Sequence, residues 1–111
     1  MPITIHEIIK KFASDMKQLF GNEYRETIVY GSYARGDYNE NSDIDVMILV
    51  AIPEDEISKF TNAVSDLAFE YFMEYGVDIA PIVKNEEHFN GWVDDLPYYN
   101  NVRNEGVQIN V

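Results

Sequence analysis

Three stretches of this 111-residue chain carry residue types that could do chemistry together. The first is Gly31-Ser32-Tyr33-Ala34-Arg35-Gly36; five residues later comes Ser42-Asp43-Ile44-Asp45-Val46; the third is Asp78, set among Val77, Ile79 and Ala80. A Gly-Ser pair at the end of a strand lets the backbone turn sharply and gathers main-chain N–H groups and a hydroxyl at one point, which suits phosphate oxygens. Asp43 and Asp45 are two residues apart, so on a strand both carboxylates leave from one face while Ile44 and Val46 enter the core. Two bare carboxylates about 4 Å apart repel by roughly 4 kcal/mol at an effective dielectric near 20, and a divalent cation removes that cost. All-oxygen donors select Mg²⁺, which takes a few carboxylates together with water and substrate phosphates. Asp78 is the candidate third acid, because a charge among apolar neighbours is otherwise costly. Three such acids would serve metal-assisted phosphoryl transfer.

Each feature also has a plainer explanation. Gly31-Ser32 alone fits an ordinary strand-to-loop turn, and it gains meaning only with Asp43 and Asp45 behind it. Asp78 follows Gly76 closely enough to be a turn residue, and Arg35 could pair with Asp37 or Asp43 to hold the loop. His6 and His88 read as surface residues on helices. Tyr71, Phe72 and Tyr75 read as core or partner-facing, and Trp92, Tyr98 and Tyr99 as an exposed patch.

The elements that must position these residues are readable from periodicity. Ile5, Ile8, Ile9, Phe12, Met16, Leu19 and Phe20 share one helical face, Thr4 and Glu7 have capping-box spacing, and Gly21 ends the helix. Residues 26–30 and 44–50 are β-rich runs. A second helix opens after Pro53 with an acidic first turn, carries Ile57, Phe60, Val64, Leu67, Ala68, Tyr71 and Phe72 at helical spacing, and closes at Gly76. A third strand is expected over residues 77–83, then a short helix over 86–93, a turn or helix to Glu105, and an extended end over 107–111. The order predicts an α+β fold, a small mixed sheet with helices packed on one face, in a single domain spanning residues 1–111.

Composition limits the partners. With 20 Asp and Glu against 8 Lys and Arg the net charge is −12, which repels a phosphate polymer and argues against direct nucleic-acid binding. The 46% hydrophobic and 14% aromatic content separates the chain from a disordered acidic tail. There is no cysteine, so disulfides, zinc thiolates and cysteine nucleophiles are excluded. The first eleven residues lack a signal-peptide pattern, and the longest apolar run, residues 46–52, is too short to span a bilayer. The expectation is a cytoplasmic protein with no membrane partner.

Gly31-Ser32-x-Ala34-Arg35-Gly36-x5-Ser42-Asp43-x-Asp45 resembles the signature of the minimal nucleotidyltransferases, a branch of the DNA polymerase β-like nucleotidyltransferase superfamily. The resemblance covers most of the chain; residues 86–111 carry no assignable motif, and Tyr38 stands where many relatives have a small residue. It implies the nucleotidyltransferase fold, with Gly31 and Ser32 binding the triphosphate of ATP and Arg35 beside them. Asp43 and Asp45 would be metal-binding acids and Asp78 the third carboxylate that helps activate the acceptor, with two Mg²⁺ ions. It further implies an antitoxin that moves AMP to a tyrosine of a HEPN-domain toxin, forming a hetero-oligomer with it. The chain has no Arg-x4–6-His pattern of a HEPN ribonuclease, so it would be the transferase half of such a pair. The alternatives are an antitoxin that only masks its partner and a small-molecule transferase of the aminoglycoside-modifying type.

Overall fold

A computed structural model describes residues 3–39 and 42–111. Residues 1–2, within the domain span and the N-terminal reading, and residues 40–41, within the five-residue spacer of the motif, lie outside the described residues. The elements are α1 (Ile5–Phe20), β1 (Tyr24–Tyr30), α2 (Ser32–Arg35), β2 (Ile44–Val50), α3 (Thr61–Tyr75), β3 (Ile79–Asn85), α4 (Glu86–Trp92), α5 (Pro97–Glu105) and β4 (Val107–Ile109). The sheet order is β3-β2-β1-β4; β1 runs antiparallel to β2 and β4, and β2 runs parallel to β3. This is the mixed α+β sheet that the sequence predicts.

Local chemistry sets the boundaries. Thr4 Oγ1 accepts the N–H of Glu7 at 3.1 Å and starts α1, whose apolar stripe is buried from Ile8 to Phe20. Pro53 does not open the long helix directly. Residues Glu54–Phe60 form a 3₁₀ segment first, and α3 begins only at Thr61. Lys84 and the N–H of Asn85 bind the Glu54 carboxylate at 3.4 and 2.8 Å, which pins that segment to the end of β3. β3 itself begins at Ile79, two residues later than its apolar run suggests, so Asp78 stands just ahead of the strand. Pro97 occupies the first turn of α5, where its missing N–H removes no helical hydrogen bond.

Helices α1 and α3 pack on one face of the sheet, burying Val29, Ile44, Val46, Ile48 and Val50. The alternate residues Ile28, Met47 and Leu49 face the other way and are covered by Phe89 of α4 and by Tyr99 and Val102 of α5. The expected packing on one face therefore holds for the two long helices, and the short C-terminal pair adds a second, smaller layer. Tyr99, read from sequence as part of an exposed patch, is 5% exposed and belongs to this layer; Trp92 and Tyr98 remain exposed. Truncation tests whether the second layer is structural. Phe89→Ala is expected to cost about 3–5 kcal/mol in urea unfolding, as much as Phe12→Ala on the main face. A cost below about 1 kcal/mol would show α4 to be loosely attached. Among the described residues no helix is long and apolar enough to cross a membrane.

Candidate active site

The site forms where β1 ends, β2 begins and β3 is about to begin. Tyr30 pairs with Asp45 across β1 and β2, and Gly31 follows with φ of +74°. A side chain at Gly31 would be strained by that φ and would overlap Oδ2 of Asp45, so Gly31 and the Asp45 carboxylate are in close approach. From Gly31 the chain enters a single helical turn, α2. The Gly31 carbonyl accepts the N–H of Arg35 at 3.1 Å, and Gly36, with φ of +83°, closes the turn. The first N–H groups of such a turn have no carbonyl behind them, which leaves donors at the end of α2 that adjoins Asp45. Ser32 is half-buried at that end.

The parallel pairing of β2 with β3 assembles the acids. Asp45 stands opposite Ala80 and Ile44 opposite Ile79, and the N–H of Ile44 donates to the Asp78 carbonyl at 2.9 Å. Asp43 and Asp78 are thereby the residues entering two neighbouring parallel strands. Asp78, when protonated, donates a hydrogen bond to Asp43, and its carboxyl is raised above the usual range by lost solvation, by that bond and by the Asp43 charge. The half-buried Asp45 carboxyl is also raised, by burial first and by the Asp43 charge second, with the Arg35 charge opposing. Asp43 is thus the common neighbour of the other two.

This donor set is of the kind Mg²⁺ takes: the groups are all carboxylate oxygens, and the Asp43 charge that helps raise Asp45 and Asp78, after burial, is one a divalent cation would offset. Among the described residues there is no group of three or more His, Cys, Asp or Glu side chains placed to hold a metal ion.

Arg35 is turned toward other partners. Its guanidinium pairs with Asp37 at 3.3 Å and with Glu105, at the end of α5, at 3.5 Å. The structure therefore brings Gly31, Asp43, Asp45 and Asp78 together, sets Ser32 beside them, and leaves Arg35 at the rim. Of the two pairings weighed from sequence for Arg35, Asp37 is present; Glu105, seventy positions away, carried no local signal. Beside Asp43 and Asp78 opens a cleft of about 400 Å³ walled by Tyr33, Tyr38, Ser42 and Phe72. The Tyr33 and Tyr38 rings lie 4.9 Å apart, so the two tyrosines of the motif loop form one aromatic wall. On the opposite side, the Tyr30 and Tyr98 hydroxyls share a hydrogen bond of 2.6 Å. Burial, reinforced by that bond, raises the Tyr30 phenol well above its ordinary range and keeps it a neutral neighbour of Asp45. The alternation that marked Asp45 also places Tyr30 beside it once the two strands are paired in register.

A family model described as a nucleotidyltransferase domain matches residues 9–110. Two proteins of Methanocaldococcus jannaschii, each named "putative protein adenylyltransferase", are 36% identical over 86% of this chain and 94% of their own length, and 38% identical over 88% and 90%. Among solved structures, a chain described as "the toxin-antitoxin with AMP-PNP" superposes over 96% of this chain and 73% of its own, with a TM-score of 0.59 at 20% identity. A chain described as "a putative nucleotidyltransferase from Sulfolobus solfataricus" does so over 94% and 78%, with a TM-score of 0.53 at 20% identity.

Proposed function

Because the chain belongs to the nucleotidyltransferase domain family and is a nucleotidyltransferase, we propose that it moves AMP from ATP to a tyrosine hydroxyl of a HEPN-domain toxin partner, as the antitoxin of the pair. The observation that carries this reading is the close approach of Gly31 to the Asp45 carboxylate, with Asp43 neighbouring both Asp45 and Asp78. Support for a protein acceptor comes from the names of the M. jannaschii relatives, and support for a toxin partner from the description of the solved neighbour.

In this proposal residues 1–111 act as one domain. The N-terminal donors of α2, with Gly31 and Ser32, receive the β- and γ-phosphates, and Arg35 leaves Asp37 or Glu105 to join them. Asp43, Asp45 and Asp78 would hold two Mg²⁺ ions, which supply charge neutralisation of the triphosphate and acidify the acceptor hydroxyl. The acceptor oxygen bonds to the α-phosphorus, the bond to the bridging oxygen of pyrophosphate breaks, and the phenolic proton passes to the Asp78 carboxylate. With ATP as donor, the cytoplasm is the proposed compartment.

The test is to incubate the chain with a candidate HEPN-domain partner, ATP and Mg²⁺ and to weigh the partner. A mass gain of one or more AMP units, located on a tyrosine, is the expected result. No gain on a pure, active toxin would overturn the proposal; unchanged neutralisation by Asp43→Asn/Asp45→Asn would instead identify an antitoxin that acts by masking.

A further inference from the structure

Helix α3 carries two apolar stripes. Val64, Ala68 and Tyr71 are buried against the sheet and α1, as a helix in a two-layer packing requires. Phe69, Phe72 and Met73 form a second stripe at i, i+3 and i+4, and they are 61%, 46% and 68% exposed. The Phe69 and Phe72 ring centroids are 6.5 Å apart, so the stripe is continuous. Between it and β3 runs a groove of about 360 Å³ floored by Ala68, Ile79 and Pro81. This groove shares Phe72 and Asp78 with the cleft beside the acids, so the two spaces are adjoining parts of one trough. Helix α3, which forms one wall of the groove, contains Asp66, Glu70 and Glu74 and no lysine or arginine, so it carries negative charge only.

We propose that this trough docks the acceptor segment of the protein substrate, seating an apolar side chain next to the acceptor hydroxyl between Phe69, Phe72 and Pro81, with basic residues flanking it. The inference rests on the proposed transfer to a protein hydroxyl and adds how that hydroxyl is delivered to Asp78. The continuity of the groove with Asp78 favours a substrate segment over an unrelated ligand, and the acidic helix together with the net charge of −12 favours a basic one. A second copy of the chain carries the same net charge of −12 and meets like charge here. Pro81, in the middle of edge strand β3, has no N–H, which breaks the row of donors that strand-to-strand pairing of two copies would use. Recognition therefore falls to side chains.

The probe is a seven-residue peptide with tyrosine between two leucines, flanked by lysines in one version and by glutamates in the other. Fluorescence anisotropy is expected to show the lysine version binding at least ten times more tightly than the glutamate version. Phe69→Ser, at an exposed position on the groove wall, should weaken the lysine version at least tenfold while ATP binding stays at the parental level. Phe69→Leu should retain binding. Equal binding of both peptides, or no loss in the serine variant, overturns the docking site. So does a parent that is dimeric by light scattering and becomes monomeric on the serine substitution, since a second copy would then fill the groove. Peptide binding that follows these expectations without any AMP transfer would leave the groove standing and remove the proposed reaction.

Discussion

Asp43→Asn/Asp45→Asn is expected to lower AMP transfer by at least about a hundredfold and, in the absence of divalent cations, to leave the fold as stable as the parent or more so. The two effects have one cause. Asp45 and Asp78 both have carboxyls raised in the folded chain, by burial first and then through Asp43. The folded state therefore holds these protons to higher pH than the unfolded state does. As pH rises from about 4, the reference value for a free carboxyl, through the raised values, the folded chain loses stability, and the loss is complete above them. Asparagine at positions 43 and 45 has no charge to lose or to repel, so the variant escapes the whole Asp45 part of that loss and the Asp43-dependent part of the Asp78 one at neutral pH. Mg²⁺ should reverse the order. An ion at a hundred times its dissociation constant stabilises a one-site protein by about 2.7 kcal/mol, and the variant should gain almost none of this. Thermal melts of parent and variant at pH 7.5, with EDTA and then with MgCl₂, check both halves. A variant less stable than the parent in EDTA would mean that these carboxylates hold the fold together and are not crowded for the sake of a ligand.

Much of this site was legible in the sequence, for reasons that also explain what was not. Asp43 and Asp45 could be read because strand alternation is a local rule that puts both on one face, and because Asp45 is the one charge in the run Ile44–Val50. Gly31 could be read as a turn, but that its Cα lies against the Asp45 carboxylate follows only from the pairing of β1 with β2. Val77, Ile79 and Ala80 predict a start for β3 two residues before the observed one; pairing with β2 decides the boundary, and the Asp78 carbonyl accepts the N–H of Ile44. The second helical layer had a signal that a one-face reading passes over. From Val46 to Val50 the strand is apolar without alternation, and all five residues are fully buried, which requires cover on both sides. Helices α4 and α5 supply that cover through only three buried side chains, Phe89, Tyr99 and Val102, too few to raise a periodic pattern in a polar stretch. The Arg35 to Glu105 pair joins residues seventy positions apart and has no local mark at all.

Gly31→Ala should separate the two demands on that glycine. The first is backbone: a φ of +74° disfavours any side chain, at about 1–2 kcal/mol. The second is contact: the new methyl would overlap Asp45 Oδ2, the far end of a side chain that can swing aside. Swinging the carboxylate releases the overlap at little expense in stability but moves it away from Asp43 and Asp78. The expected result is a stability loss of about 1–2 kcal/mol, a fall in melting temperature of roughly 4–12 °C, with AMP transfer reduced by at least about a hundredfold. Gly21→Ala is the control, because Gly21 also has positive φ, +57°, and its methyl would meet nothing within 4 Å. It should be destabilised to a similar degree and keep its transfer activity once assayed below its melting temperature. Adding Gly31→Ala to Asp45→Gly, where the overlap is gone, should still cost the same 1–2 kcal/mol, which would confirm that the backbone and not the contact sets the stability loss. Parental transfer rates in Gly31→Ala would show that the close approach of Gly31 to Asp45 is a packing detail, and the carboxylates would then have to act from a geometry other than the one seen here.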